Sequence, residues 1–173
     1  MGRLASGPGA QLFRNESSHL AIYSVVDPAA PVLLTTHPVS EGITALATQG
    51  NYAFLGLNSP PALRVYDVST PGAPSAIVTL PEVYDIARLV VSGTRLYANY
   101  GEISLTRVFD ISDPTQPADL GAGFMEVADW SGHPDGFAAN GNLVGSVGNL
   151  DGEANSAGIY DMSTPTNAVL LWN

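Results

Sequence analysis

Residues 65–74 read Val65-Tyr66-Asp67-Val68-Ser69-Thr70-Pro71-Gly72-Ala73-Pro74. The aliphatic–aromatic pair suits a pleated, half-buried strand. The residues after it carry turn chemistry: Asp and Ser side chains bond nearby backbone amides, and proline presets φ. A strand therefore runs into a turn here. The same arrangement stands 43 residues later as Val108-Phe109-Asp110-Ile111-Ser112-Asp113-Pro114, and 43 residues earlier as Ile22-Tyr23-Ser24-Val25-Val26-Asp27-Pro28. A fourth copy, Ile159-Tyr160-Asp161-Met162-Ser163-Thr164-Pro165, begins 51 residues after the third. A second proline follows in three copies (Pro31, Pro74, Pro117), and Ala168 replaces it in the last.

A second marker keeps the same period. Gly7, Gly50, Gly93 and Gly141 each fall in a small polar stretch that reads as a turn. Between the markers lie short runs rich in Val, Ile, Leu and Tyr, bounded by Gly, Pro, Asn and Ser. The second unit gives Ile43–Thr48, Tyr52–Leu57, Leu63–Val68 and Ala76–Leu80; the third gives 86–92, 96–100, 105–111 and 118–124. With 18 Gly and 13 Pro in 173 residues, no long helix escapes interruption. Four strands in about 43 residues is the arithmetic of a β-propeller blade. One small twisted sheet cannot bury both its faces alone, whereas neighbouring sheets stacked about an axis can. The expected fold is thus all-β, with propeller-type blades of four antiparallel strands in four repeats, near 1–41, 42–83, 84–125 and 126–173. These form a single domain or fragment: a small ring, a partial ring or half of a larger one. In the first unit only Leu4-Ala5-Ser6 remains for the first strand, and the last unit ends at Leu170–Asn173.

The pattern aliphatic-aromatic-Asp-aliphatic-Ser-x-Pro-x-x-Pro resembles the LVIVD repeat family, most closely over Val65–Pro74 and Val108–Pro117. The first copy departs from it at Ser24 and the last at Ala168. The resemblance implies β-propeller architecture in bacterial and archaeal proteins, often exported or surface ones. It therefore implies an extracellular, periplasmic or cell-surface setting rather than a cytoplasmic one. It carries no catalytic motif, so no functional residue follows from it. The Gly-His and Trp-Asp pairs of WD40 blades do not recur here.

Composition narrows the function classes. The formal net charge is −10, from sixteen carboxylates and six arginines without any lysine. Such a chain repels phosphate backbones and anionic lipid, which argues against nucleic acid and membrane surfaces as partners. No run approaches the roughly 18 apolar residues of a membrane helix. Met1–Leu12 carries no apolar core of secretory-signal length. Without cysteine there is no disulfide framework, thiolate metal site or cysteine nucleophile.

The fourth unit is longer than the others, and the markers place its excess. If the strands of a unit are A to D, the glycine turn joins A to B and the Asp-Ser-Pro turn joins C to D. The added residues fall in the D–A connection (about Met125–Gly136) and the B–C connection (about Gly148–Ala157). Both belong to the opposite end of the blade. Insertions gathered at one end point to a binding surface. The first holds Glu126, Asp129, Trp130, His133 and Asp135, a set able to hold a polar ligand or metal, or to do acid–base work. The second alternates oxygen-bearing Asp151, Glu153 and Asn155, as a calcium loop does, yet lacks the sixth-position Gly and twelfth-position Glu of an EF-hand. Glu41 and Asp85 occupy the D–A position in other units, and with Asp129 they are candidates for an acidic ring at a channel mouth. The recurring aromatics Tyr23, Tyr66, Phe109 and Tyr160 read as packing between blades rather than as a ligand platform.

Repeats without a nucleophile–base set favour a non-catalytic binding or scaffolding module. It would recognise a protein or glycan through the D–A and B–C loops and need no cofactor, apart from a divalent cation such as Ca2+ at the acidic loops. Two alternatives stand beside it. One is a metal-assisted hydrolase or lyase using Glu41, Asp85, Asp129 and His133. The other is an assembly module that forms homo-oligomers through open terminal blades.

Overall fold

The computed structural model describes residues 4–7, 9–16, 18–100, 103, 105–124, 136–149 and 155–172. They form sixteen strands: β1 (Leu4–Gly7), β2 (Gln11–Glu16), β3 (His19–Ser24), β4 (Val32–Pro38), β5 (Ile43–Gln49), β6 (Tyr52–Asn58), β7 (Pro61–Asp67), β8 (Ser75–Pro81), β9 (Arg88–Ser92), β10 (Arg95–Tyr100), β11 (Leu105–Asp110), β12 (Ala118–Phe124), β13 (Gly136–Asn140), β14 (Leu143–Asn149), β15 (Asn155–Asp161) and β16 (Val169–Trp172). Each consecutive four make one antiparallel sheet in sequence order, so the blades are four-stranded meanders of the propeller type. No α-helix occurs among the described residues.

The chain divides into two compact units, Met1–Asp85 and Ile86–Asn173, each holding two sheets. In the first, β5 lies against β1 and β2, and Phe13, Leu20 and Ile22 of sheet one share a core with Leu46, Ala53, Leu55, Leu57 and Tyr66 of sheet two. In the second, β13 lies against β9, and Tyr97 and Val108 of sheet three share a core with Val144, Tyr160 and Met162 of sheet four. Tyr66 and Tyr160 thus pack between sheets, and Phe109 is likewise buried. Sheet two buries both faces: Ala53, Leu55 and Leu57 on one, Phe54, Leu63 and Val65 on the other. Hence β6 reads as an almost unbroken apolar run rather than an alternation.

The recurring motif builds the same corner in every sheet. The C–D connections are residues 25–31, 68–74, 111–117 and 162–168, seven in each case. Asp67, Asp110 and Asp161 each accept a hydrogen bond from the backbone amide two residues on (2.7, 2.8 and 2.7 Å). In sheet one, where Ser24 replaces that Asp, Asp27 instead accepts from Ala29 N–H at 3.0 Å. A β-turn with proline at its second position follows, closed by Ala30, Ala73, Gln116 and Asn167 donating to Asp27, Thr70, Asp113 and Thr164. The residue after the Asp position then ties this corner to the A–B turn: Val25, Val68, Ile111 and Met162 donate to the carbonyls of Ala10, Asn51, Thr94 and Asn142 at 2.7–2.8 Å. Both constant turns therefore sit at one end of the sheet.

Gly50, Gly93 and Gly141 each have positive φ as the first of two turn residues, the conformation a II′-type hairpin demands. Gly7 differs from the expectation. It ends β1 opposite Gln11, and the chain turns through Gly9 and Ala10, both in the left-handed region. Gly7 is required by packing instead, since a Cβ there would collide with the Phe13 ring. The C–D ladder also shifts register at one equivalent point in all four sheets, between Ile22/Tyr23, Val65/Tyr66, Val108/Phe109 and Ile159/Tyr160. The extra residue (Leu34, Ile77, Leu120 or Leu171) lies on the outer strand, which a bulge bends and twists.

Three substitutions probe this packing and its corners. A Cβ at Gly123 would approach the Pro165 carbonyl to 2.7 Å and Ala168 N to 3.0 Å, whereas one at Gly72 meets nothing within 4 Å. Gly123→Ala should cost about 1–3 kcal/mol in urea unfolding, and Gly72→Ala should leave the midpoint nearly unchanged. The Ser112 amide and hydroxyl hold the Asp110 carboxyl below its usual range. Its contribution is therefore complete above about pH 4 and lost as pH falls through the lowered value. Asp110→Asn should flatten the acid limb of the stability curve; an unchanged limb would remove the carboxylate from the corner's energetics.

Candidate functional site

The two ends of the sheets differ. The A–B turns span residues 8–10, 50–51, 93–94 and 141–142, and the C–D corners never vary in length. At the other end the B–C connections grow from 17–18 and 59–60 to 101–104 and 150–154. The D–A connections grow from 39–42 to 82–87 and 125–135. Apart from one extra residue in the first A–B turn, divergence in length falls at the D–A/B–C end, where the hydrogen bonds of the repeat do not dictate loop length.

The best-defined chemistry at this end involves Glu41. Its connection is anchored by Ser59 N–H donating to the Glu41 carbonyl at 3.1 Å. Gly42 follows with φ 76°, and a Cβ there would come within 2.7 Å of the Asn58 Oδ1. The Glu41 carboxylate turns onto strand β7, where Arg64 Nη2 donates to its Oε1 at 2.6 Å and Ser40 Oγ donates to its Oε2 at 3.0 Å. Arg64 Nε also donates to Thr79 Oγ1 at 2.9 Å. Both side chains of the pair are largely buried, at 18% and 21% exposure. The guanidinium holds the Glu41 carboxyl down at about 2, against the opposing effect of burial. Beside it, His37 of sheet one meets the Tyr66 ring edge-on at 5.3 Å. Glu41 therefore fastens a connection to a strand, and its charge is matched by a cation, which leaves little field for a metal ion.

Asp85 is half-buried in the second D–A connection and has interactions of its own. Glu126, Asp129, Trp130, His133, Asp135, Asp151 and Glu153 lie outside the described residues, and Asn155 is the first residue of β15. Among the described residues no group of three or more His, Asp or Glu side chains could hold a metal ion. The residue that sequence reasoning passed over is Arg64. Its signal was present: Arg107 stands 43 residues later at the same strand position, pairs with Asp119 at 2.7 Å and lies 5.7 Å over the Phe109 ring.

No family model matches the chain, and no curated protein matches it either. Solved structures do. A functionally unknown protein from Desulfotomaculum acetoxidans DSM 771 superposes with TM-score 0.73 at 17% identity, over 94% of this chain and 52% of that one. A protein from Lactobacillus plantarum gives 0.71 at 16%, over 97% and 53%. The Nidogen/Laminin complex, a β-propeller, gives 0.64 at 13%, over 94% and 60%. The likeness is one of fold, and the chain spans about half the length of the first two structures.

The Glu41–Arg64 pair is open to measurement. Its folded-state carboxyl value lies below the ordinary one, so its stabilisation is complete above about pH 4.5 and falls away as pH drops toward 2. Arg64→Ala should cost about 1–3 kcal/mol at pH 7, because it strands a largely buried carboxylate. The stability gap between wild type and Glu41→Gln should shrink between pH 6 and pH 3. A gap constant across that range would show that the pair contributes no charge-dependent stability.

Proposed function

We propose that this chain is a non-catalytic binding module of LVIVD-like blades that engages a protein or glycan partner through its D–A and B–C loops. The observation that carries the reading is the asymmetry between the two ends. C–D corners of constant length, tied to the A–B turns by the same hydrogen bond four times, serve the scaffold. Connections that lengthen mainly at one end are where recognition is built on such a scaffold. The longest, 125–135, holds in its sequence an indole, an imidazole and carboxylates, a composition suited to sugar rings or polar peptide groups. The metal-assisted alternative would have to draw Glu41 away from its ion pair with Arg64.

A glycan array and a peptide display library, both probed with the wild-type chain, should return a ligand. Replacing residues 125–135 by the four-residue connection 39–42 should abolish its capture with the far-UV circular dichroism spectrum unchanged. Trp130→Ala with His133→Ala should weaken capture at least tenfold. A ligand held equally well by both variants would discard this end of the blades.

A further inference from the structure

The sheet junctions of the two units use opposite faces of the repeat. Sheet one presents Phe13, Asn15, Leu20 and Ile22 forward to sheet two, and Asn15 Nδ2 reaches across to the Ile43 carbonyl at 2.9 Å. Sheet three presents Tyr97 and Val108 forward to sheet four, where the Tyr97 hydroxyl donates to the Gly141 carbonyl at 2.8 Å and Arg95 to the Met162 carbonyl at 2.9 Å. The receiving, backward faces carry Ala53 and Tyr66 in sheet two, and Val144 and Tyr160 in sheet four. Register makes the faces comparable residue by residue. Ile22, Val65 and Val108 on the forward face are each fully buried, yet their counterpart in sheet four, Ile159, is 40% exposed. Around it Leu143 is 45%, Val147 41% and Trp172, opposite Ile159 in the ladder, 59% exposed. Among the described residues, the forward face of sheet four is left uncovered.

The backward face of sheet one is open in the complementary sense. Tyr23 and Leu12 are only half-buried there, whereas their counterparts Tyr66, Phe109 and Tyr160, and Ala53, Leu96 and Val144, are buried. Leu4 and Leu33 on the same face are largely exposed. Size matches as well. Within unit one the forward Phe13 shares its core with the small Ala53, and within unit two Tyr97 does so with Val144. Sheet four has Gly145 at the Phe13 and Tyr97 position, with nothing within 4 Å of where a Cβ would lie. Sheet one offers the larger Leu12 at the Ala53 position. The charge on this face, Arg14, is paired with Glu16 at 3.3 Å, and the backward faces of sheets two and three already hold a carboxylate-paired arginine in Arg64 and Arg107.

We propose that the forward face of sheet four docks on the backward face of sheet one of a second copy of this chain, continuing the blade stack across two polypeptides. This junction is separate from the loop end and does not depend on the ligand-binding reading. Exposed apolar blade faces of this extent favour association, and an interface of forward on backward type closes only when each copy uses both of its faces.

The chain lacks cysteine, so cross-linking is free of background. Light scattering of the 173-residue chain at about 100 µM should give twice the mass of one chain, a concentration at which even a micromolar dissociation constant leaves mostly dimer. Ile159→Arg and Leu12→Arg should each raise the dissociation constant at least about 100-fold, as burying an unpaired charge in a junction does. Leu34→Lys, on the outer-strand bulge, should leave it unchanged. Mixing a Leu12→Cys variant with a Gly145→Cys variant under mild oxidation should yield a reducible heterodimer on a denaturing gel. If the arginine variants misfold by circular dichroism, the cysteine pair decides the matter. A strict monomer at that concentration overturns the proposal. So does self-association indifferent to both arginine variants, or a Leu12→Cys, Gly145→Cys double variant that closes only within one chain.

Discussion

A four-stranded sheet with two apolar faces has no stable existence alone; each face must meet another sheet. This constraint governs the molecule. It explains why β6 and β10 are apolar on consecutive residues and why the aromatics recur at one strand position. Phe13, Tyr97 and Tyr160 are among the largest fully buried side chains, each in a core shared by two sheets. The hydrophobic residues, 45% of the chain, supply both faces of these sheets. It also explains where burial fails: the same constraint identifies an exposed Ile159 as a departure, because three equivalent residues are covered.

The corner after strand C complements this packing. Seven residues, an aspartate that caps its own turn and a proline at the second turn position reproduce one geometry four times. The amide that follows the aspartate position reaches the A–B turn, so two turns distant in sequence brace each other. The register shift beside the aromatic bends the outer strand at the same point in each sheet. With one end held this way, almost all length variation falls at the other. Scaffold and variable surface are thereby separated along the strand axis, the arrangement from which the binding reading is drawn.

Glu41 shows how a site residue read from position alone changes meaning in three dimensions. Its place entering the second unit suggested an acid at a channel mouth. In the folded chain it is the partner of Arg64, 23 residues away, with Thr79 and Ser40 completing the network. Strand spacing says which connection a residue occupies, but not which way its side chain turns, and a short connection beside a strand arginine favours the local ion pair. The recurrence of arginine at 64 and 107 was legible; that each would find a different carboxylate, Glu41 and Asp119, was not.

The sequence by itself determined the architecture: sixteen strands in four copies, and the corner that ends each C strand. These follow from local rules (side-chain alternation, proline geometry, aspartate turns) repeated at one period, and local rules are written in adjacent residues. The Gly7 marker misled because packing against Phe13 and a turn both select glycine, and sequence does not separate the two causes. Only the tertiary structure decided which face of each sheet is forward, where the Glu41 charge is spent, and which blade face stands uncovered. Those depend on residues some forty positions apart meeting across a sheet junction, where register and side-chain size set the outcome.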